Sequence, residues 1–333
     1  MNLSEKTLLI TGVGEFIGLR MAEIAIARGM KVRGMESSPQ RAKLAETLGV
    51  HVTLGSVTDT TATKSACQGV DIILHTEELA KEGGAIKVFR QLNVEGTKNL
   101  LNLAKTHKVS TFIYLSSGLV YGFNYRDRIT EDVQLTPSSN PYCQTKLEAE
   151  QLVLQQNHPP DFGVIIIRAG DVYGAGCIPW VVRPLQMMQQ KQFAYADNGR
   201  GVMNHVYVDN LIDAIFLTIE QQTYGEIFNI TDGQDTSWKE YFDQLAKIGN
   251  YSPPFSLGKE EIKLFLKVRS QGQKLLRKEV DILPESIDFM SRPYAYSITK
   301  AQTKLKYEPK VSLSEGMAKI QAWLQTVDIT KIK

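Results

Sequence analysis

Short apolar runs alternate with stretches of helical spacing through the first half of the chain. Residues 7–10, Thr-Leu-Leu-Ile, read as a buried strand. Apolar residues then recur at helical spacing over 17–28. Further strands are predicted at 31–35, 52–54, 70–74, 111–115 and 163–168, with helices at 85–107 and 142–155. Strand and helix in strict alternation predict a parallel sheet covered on both faces. After about residue 172 the rhythm breaks. Residues 206–208 and 210–220 read as a strand and helix returning to the sheet, and from 224 the elements are irregular. A basic helical stretch covers 259–277 and a last helix covers 313–324. The expected organisation is a sheet domain of 1–172 plus 201–222, with a smaller domain of 173–200 plus 223–333. There is no internal repeat and no low-complexity segment.

Composition narrows the class. A chain of 333 residues has room for about two domains at roughly 150 residues each. Lys plus Arg is 38 against 36 for Asp plus Glu, so no electrostatic footprint for nucleic acid is read. Cys67, Cys143 and Cys177 stand too far apart for a metal-ligand spacing or a disulfide framework. They suggest packing in a reducing, cytoplasmic setting, with no metal. The first residues lack a basic flank followed by a long apolar run, so no signal peptide is read. No stretch is long and apolar enough to predict a transmembrane helix.

Two stretches carry candidate chemistry. The first is Thr11-Gly12-Val13-Gly14-Glu15-Phe16-Ile17-Gly18, between the first strand and the first helix. Glycines there permit a tight turn and close backbone approach, and a helix N-terminus attracts phosphate. Glu36 ends the second strand, where a carboxylate accepts from ribose hydroxyls and repels a 2′-phosphate, favouring NAD(H) over NADP(H). A solvated Glu at a strand end is the plainer alternative. The second stretch is Tyr142-Cys143-Gln144-Thr145-Lys146. Tyr and Lys four residues apart share a helix face, and an ammonium beside a phenol favours the phenolate. Tyr142 is therefore a candidate general acid/base. Ser117 ends an apolar strand and is placed to meet the first turn of that helix. A second Tyr-to-Lys pair, Tyr296 and Lys300, has no such strand and reads as structural.

On these motifs the chain resembles the extended short-chain dehydrogenases/reductases, the NAD-dependent epimerase/dehydratase family. Asn93-Val94-Glu95-Gly96-Thr97, Arg168 through Gly176, Val206-Tyr207-Val208-Asp209 and Gly225 through Ile230 add to it in order. The resemblance implies a Rossmann-type doubly wound parallel sheet, α/β in class, with a smaller C-terminal substrate domain. It implies Ser117, Tyr142 and Lys146 as the catalytic set. Tyr142 would exchange the proton, Ser117 would bond the substrate oxygen, and Lys146 would tune Tyr142 and hold the nicotinamide ribose. It implies cofactor contacts at Gly12, Gly14, Phe16, Ile17, Gly18, Glu36, Ser56, Val57, His75, Asn93, Tyr142 and Lys146. Two departures stand out. Glu15 replaces the family's middle glycine, and His75-Thr76-Glu77-Glu78 replaces the sequence HLAA.

The substrate class follows from comparison within that family. Gly118-Leu119 stands where dehydratases carry Asp-Glu, and Met203 where nucleotide-sugar enzymes carry a diphosphate-binding Arg. Arg183, Arg200 and Arg292 remain candidate phosphate contacts. The run from Ile282-Leu283-Pro284 to Lys300-Ala301 is similar to 3β-hydroxysteroid/sterol dehydrogenases and dihydroflavonol reductases. The expected function is NAD(H)-dependent oxidation or reduction of a secondary alcohol or ketone on a mostly apolar small molecule. A nucleotide-sugar epimerase, and a non-catalytic dinucleotide sensor or scaffold, are the alternatives. A homodimer is a further expectation of the resemblance. The 259–277 segment reads as a lid over the substrate cleft, with a membrane-surface helix as the alternative.

Overall fold

The computed structural model describes residues 3–81, 83–123, 125–135, 140–275, 284 and 286–332. The chain begins β1 (Thr7–Thr11), α1 (Phe16–Ala27), β2 (Lys31–Glu36), α2 (Pro39–Glu46), β3 (His51–Leu54), α3 (Thr60–Cys67) and β4 (Ile72–His75). It continues through α4 (Ile86–Phe89), α5 (Thr97–Thr106), β5 (Thr111–Ser117), α6 (Pro141–Gln155) and β6 (Gly163–Ala169). Beyond β6 come β7 (Asp171–Tyr173), α7 (Arg183–Gln189), β8 (Ala194–Ala196), β9 (Val202–Met203), β10 (His205–Tyr207) and α8 (Val208–Glu220). Then follow β11 (Ile227–Ile230), β12 (Thr236–Ser237), α9 (Trp238–Ile248), β13 (Phe255–Leu257), α10 (Lys259–Leu275), α11 (Ser286–Ser291) and α12 (Leu313–Leu324). Residues 276–277 of the basic segment, and Ile282 and Leu283, lie outside the described residues.

Seven parallel strands form the central sheet in the order β11-β6-β5-β4-β1-β2-β3. Successive strand residues point to opposite faces, and each face has its own core. Leu8, Ile10, Ile72, Leu74, Ile165 and Ile167 enter one cluster. Leu9, Ile73, Phe112, Val164 and Ile166 enter the other. This double burial explains why these strands read as continuous apolar runs. Among the described residues no helix is long and apolar enough to cross a membrane. Cys67, Cys143 and Cys177 are buried, and none of them is in a disulfide.

Three expectations are corrected. The return strand at 206–208 is β10, and it pairs with β7 in a separate two-stranded ribbon. Gly170 permits this, because a Cβ there would stand 2.0 Å from the Asn204 carbonyl oxygen. The sheet's edge is instead β11, from the stretch read as irregular. The single helix expected over 85–107 is α4 and α5 joined by a wider-turned segment, Arg90–Gly96. That segment carries Asn93, whose side chain accepts from Leu79 N at 2.7 Å and donates to Leu79 O at 3.3 Å.

The helix α6 is fixed at both ends. Asn140 caps it by accepting from the Tyr142 and Cys143 amides, with Pro141 at its first position. Farther along, buried Glu150 pairs with Arg168 of β6, Nη2 to Oε2 at 2.7 Å and Nε to Oε1 at 3.0 Å. Arg168 Nη1 also donates to the Tyr121 hydroxyl at 2.9 Å. Removing one partner of such a pair strands the other charge in the interior. Glu150→Ala should therefore destabilise the protein by about 3–5 kcal/mol. Urea unfolding of the variant against the wild-type chain checks this, and the paired change Glu150→Leu with Arg168→Met should recover most of the loss.

Candidate active site

Strand order places the site. The chain runs outward from β1 through β2 to β3, then crosses back to β4 on the other side of β1. The crevice at the C-terminal ends of β1 and β4 is thus the topological switch point, the position where open α/β sheets hold ligands. Into it lead the glycine loop after β1, the Thr76-Glu77-Glu78 segment after β4, and Ser117 at the end of β5.

The glycine loop is tight by construction. Gly12 has φ +67°, and a Cβ on Gly18 would stand 2.3 Å from the Gly12 carbonyl oxygen. The α1 N-terminus has Glu15 at its cap position with no side-chain capping bond. Its first amides therefore have no side-chain partner of that kind, which suits a phosphate. Phe16 and Ile17 are half-buried against the main core. Gly14 presses on α2, where a Cβ would meet the Arg41 carbonyl oxygen at 2.4 Å.

Glu36 is buried and already engaged. Its carboxylate accepts from Gly14 N at 3.2 Å, Ser38 N at 2.9 Å, and Arg41 Nε and Nη2 at 3.1 and 2.9 Å. The solvated-Glu reading is therefore wrong, because this carboxylate organises the loop. Glu15 turns toward Arg41 Nη2 at 3.3 Å. Burial pushes its carboxyl up from 4.5 to about 7; Arg41 opposes that rise, and the carboxylates of Glu36, Glu78 and Glu77 add to it.

Ser117, Tyr142 and Lys146 are brought together. Ser117 lies within hydrogen-bond reach of the Tyr142 phenol. Lys146 is buried, donates to the Leu115 carbonyl at 2.6 Å, and stands 4.2 Å above the Tyr114 ring. The third contact was not expected. Glu78 accepts from the Tyr142 hydroxyl at 3.1 and 3.2 Å, and its Oε2 lies 2.8 Å from Lys146 Nζ. The predicted lowering of the phenol pKa is overturned as a result. Burial chiefly, and then the Glu78 charge, push Tyr142 well above its ordinary value. The Lys146 ammonium is neutralised by Glu78 rather than spent on the phenol.

The remaining candidates divide. His75 is buried, with Nδ1 on Thr11 Oγ1 at 2.8 Å and Nε2 on Thr97 Oγ1 at 2.9 Å. Burial drives its pKa down to about 3. Both ring nitrogens are used inside the fold, where the imidazole braces β4 against β1 and α5. Asn93 is also buried, its amide held by Leu79 and Thr145 Oγ1; its side chain is a clamp on the segment after β4. The Ser56 side chain and the Val57 amide reach the groove, where the Glu77 carboxylate takes both. Tyr296 packs edge-on over Gly118 and Lys300 pairs with Glu226 at 2.7 Å, which keeps this second pair structural. His205 is held by Asp232 and Thr236 inside the fold.

Sequence reasoning missed two groups. Tyr114 forms the floor beneath Lys146, and alternation along β5 from Ser116 was the available signal. Asp171 is buried and faces Arg292 Nη2 at 3.5 Å. Burial raises its carboxyl to about 6. Arg292 lies 3.8 Å over the Phe289 ring, with Tyr125 and Tyr296 nearby, and its Nε and Nη1 have no hydrogen-bond partner among the described residues. Met203 is wholly buried in the core rather than lining a cleft. Among the described residues no group of three or more His, Cys, Asp or Glu side chains is placed to hold a metal ion.

The Glu15 shift has a thermodynamic consequence. Its folded-state pKa of about 7 lies above its ordinary 4.5. The folded protein therefore holds this proton more tightly than the unfolded chain, and the contribution is lost as pH rises from about 4.5 to about 7. Glu15→Gln should leave the thermal midpoint nearly unchanged at pH 5 and raise it at pH 8. Melting curves of both proteins at the two pH values test the sign.

Comparison with known proteins agrees with this fold. The model of the NAD-dependent epimerase/dehydratase family matches residues 8–231. A 4-hydroxy-2-methyl-3-oxo-4-farnesyl-3,4-dihydroquinoline-1-oxide ketoreductase of Stigmatella aurantiaca is 25% identical, covering 92% of this chain and 93% of that protein. A decarboxylating sterol-4-alpha-carboxylate 3-dehydrogenase of Dictyostelium discoideum is 25% identical over 94% of this chain and 99% of that protein. The UDP-glucuronic acid 4-epimerase of Bacillus cereus, solved with UDP-glucuronic acid and NAD, superposes with a TM-score of 0.76 at 22% identity, covering 96% and 99% of the two chains. The family match extends from β1 to just beyond β11 and takes in the glycine loop, Ser117 and the Tyr142–Lys146 helix. The chain belongs to the NAD-dependent epimerase/dehydratase family and is an oxidoreductase-type enzyme of it.

Proposed function

We propose that this enzyme oxidises or reduces a secondary alcohol or ketone on a mostly apolar small molecule, with NAD(H) as the hydride partner. The observation that carries the reading is the convergence of Ser117, Tyr142 and Lys146 at the switch-point crevice. NAD(H) would supply or accept the hydride. The loop of Gly12, Gly14 and Gly18 with the α1 amides would hold the pyrophosphate, and Ser56, Val57 and Glu36 would face the adenosine. Glu36 disfavours a 2′-phosphate, which supports NAD(H) over NADP(H).

The chain's own residues have defined tasks. Ser117 Oγ orients the substrate oxygen and donates to it. Tyr142 Oη passes or takes the proton at that oxygen. Lys146, once free of Glu78, lowers the cost of the phenolate. An apolar substrate is supported by Met203, which leaves no guanidinium where nucleotide-sugar relatives carry a diphosphate-binding Arg. The relatives named for farnesyl-quinoline and sterol chemistry point the same way.

Nucleotide-sugar epimerisation is favoured by one observation, the two nitrogens of buried Arg292 that have no hydrogen-bond partner among the described residues. Its neighbour Asp171 would set a carboxylate against a diphosphate, so we place this reading second.

Tyr142→Phe should lower kcat by about 10²–10⁴-fold on an apolar ketone, the range for loss of a general acid, while NADH still binds. Steady-state NADH oxidation against a panel of apolar ketones and UDP-sugars tests this. Turnover of UDP-sugars alone would transfer the assignment to the second reading.

A further inference from the structure

The Thr76–Leu79 segment occupies the crevice that the cofactor reading assigns to a dinucleotide. Its placement is firm. Thr11 Oγ1 accepts from the amides of Thr76 and Glu77 at 3.1 and 3.2 Å, and Asn93 holds both backbone groups of Leu79. From that anchorage Glu78 reaches Tyr142 and Lys146, and Glu77 takes the Val57 amide at 3.2 Å and the Ser56 side chain. These are donors at opposite ends of the groove. They are the groups that the reading above gives to the nicotinamide ribose at one end and to the adenosine at the other. Where the family resemblance places two alanines, this chain places two carboxylates, and both are satisfied by cofactor-facing donors.

We propose that Glu77 and Glu78 form a built-in plug of the dinucleotide groove, which must be displaced before NAD(H) is held and which keeps the Tyr142–Lys146 pair idle until then. The proposal rests on the NAD(H) reading given above. Its physical basis is competition for the same donors. Lys146 is buried and needs a partner for its charge. Glu78 provides a full countercharge, whereas ribose hydroxyls provide only acceptors. Displacement of Glu78 therefore exposes the phenol to an unneutralised ammonium, the condition under which a phenolate becomes accessible. Cofactor affinity is lowered by the fraction of molecules in which the plug is seated. Glu15 and Glu36 stand beside the same groove with Arg41 as their shared cation. Extra negative charge from Glu77 and Glu78 further opposes a pyrophosphate.

The test uses the full-length protein and NADH, followed by nicotinamide fluorescence. Glu77→Ala, Glu78→Gln and the double variant are titrated beside the wild type, and circular dichroism confirms that each is folded. The double variant should bind NADH at least tenfold more tightly, with Glu77→Ala alone giving a smaller gain in the same direction. Glu77→Ala keeps the test decisive if Glu78→Gln leaves Lys146 uncompensated and the chain unfolds. A second readout is amide hydrogen exchange at Glu77 and Leu79, which should accelerate in wild-type protein saturated with NADH. If the wild type and all folded variants bind NADH equally, and exchange at 77–79 does not change, the plug is overturned and the NAD(H) reading stands. If neither wild type nor variants bind NADH or NADPH, both are overturned.

Discussion

An ammonium cannot sit inside a protein without a partner, and Lys146 sits inside this one. It is 2% exposed, and loss of hydration would push its proton off unless nearby anions and carbonyls compensated. Three groups do so: the Leu115 carbonyl, the Tyr114 ring face and the Glu78 carboxylate. Two belong to the central sheet and one to the segment after β4. The charge therefore ties α6 to β5 and draws the β4 segment across the crevice. Much of the site's geometry follows from satisfying one cation.

That cation is held at the right height by a second buried pair. Arg168 of β6 and Glu150 of α6 fix the helix against the sheet two strands from the switch point. Tyr121 and Glu131 join the same network, through the Arg168 guanidinium and the Asn229 side chain and amide. The strand-end Ser117, the helix start at Asn140-Pro141 and the turn bearing Tyr121 are thus positioned by one framework. A buried ion pair adds little stability over apolar packing, so its service here is placement.

The sheet was legible because its strands are buried on both faces. A run such as Val164-Ile165-Ile166-Ile167 has few other homes in a chain of this composition. The Gly12–Gly18 loop and the Tyr142–Lys146 pair were legible because local chain geometry alone confines them. The short helices α2 and α3 were missed because their sequences are mostly polar with little apolar period. Their caps, Ser38 before Pro39 and Asp59 before Thr60, were the available signal. The ribbon of β7 and β10 could not be read locally, since it depends on the close approach of Asn204 to Gly170. Glu78 was visible as a departure from the family pattern. Its partners lie 64 and 68 positions away and are set by the sheet order rather than by spacing.

The electrostatics of the crevice argue that these carboxylates are not there for stability. Glu15, Glu77 and Asp171 all have carboxyls raised by burial, so each ionised form is less well tolerated in the fold than in the unfolded chain. A sequence selected only to fold would place uncharged side chains at such positions, as the family pattern does at two of them. Local conflict of this kind concentrates at working sites, where a group is kept for what it does in another state of the molecule. For Glu78 the proposed plug supplies that other state on geometric grounds, with Lys146 facing a different partner once the contact at 2.8 Å is broken. The contact that satisfies the buried ammonium also sets a carboxylate between it and the Tyr142 phenol, and under the proposed mechanism folding and catalysis draw on a single charge.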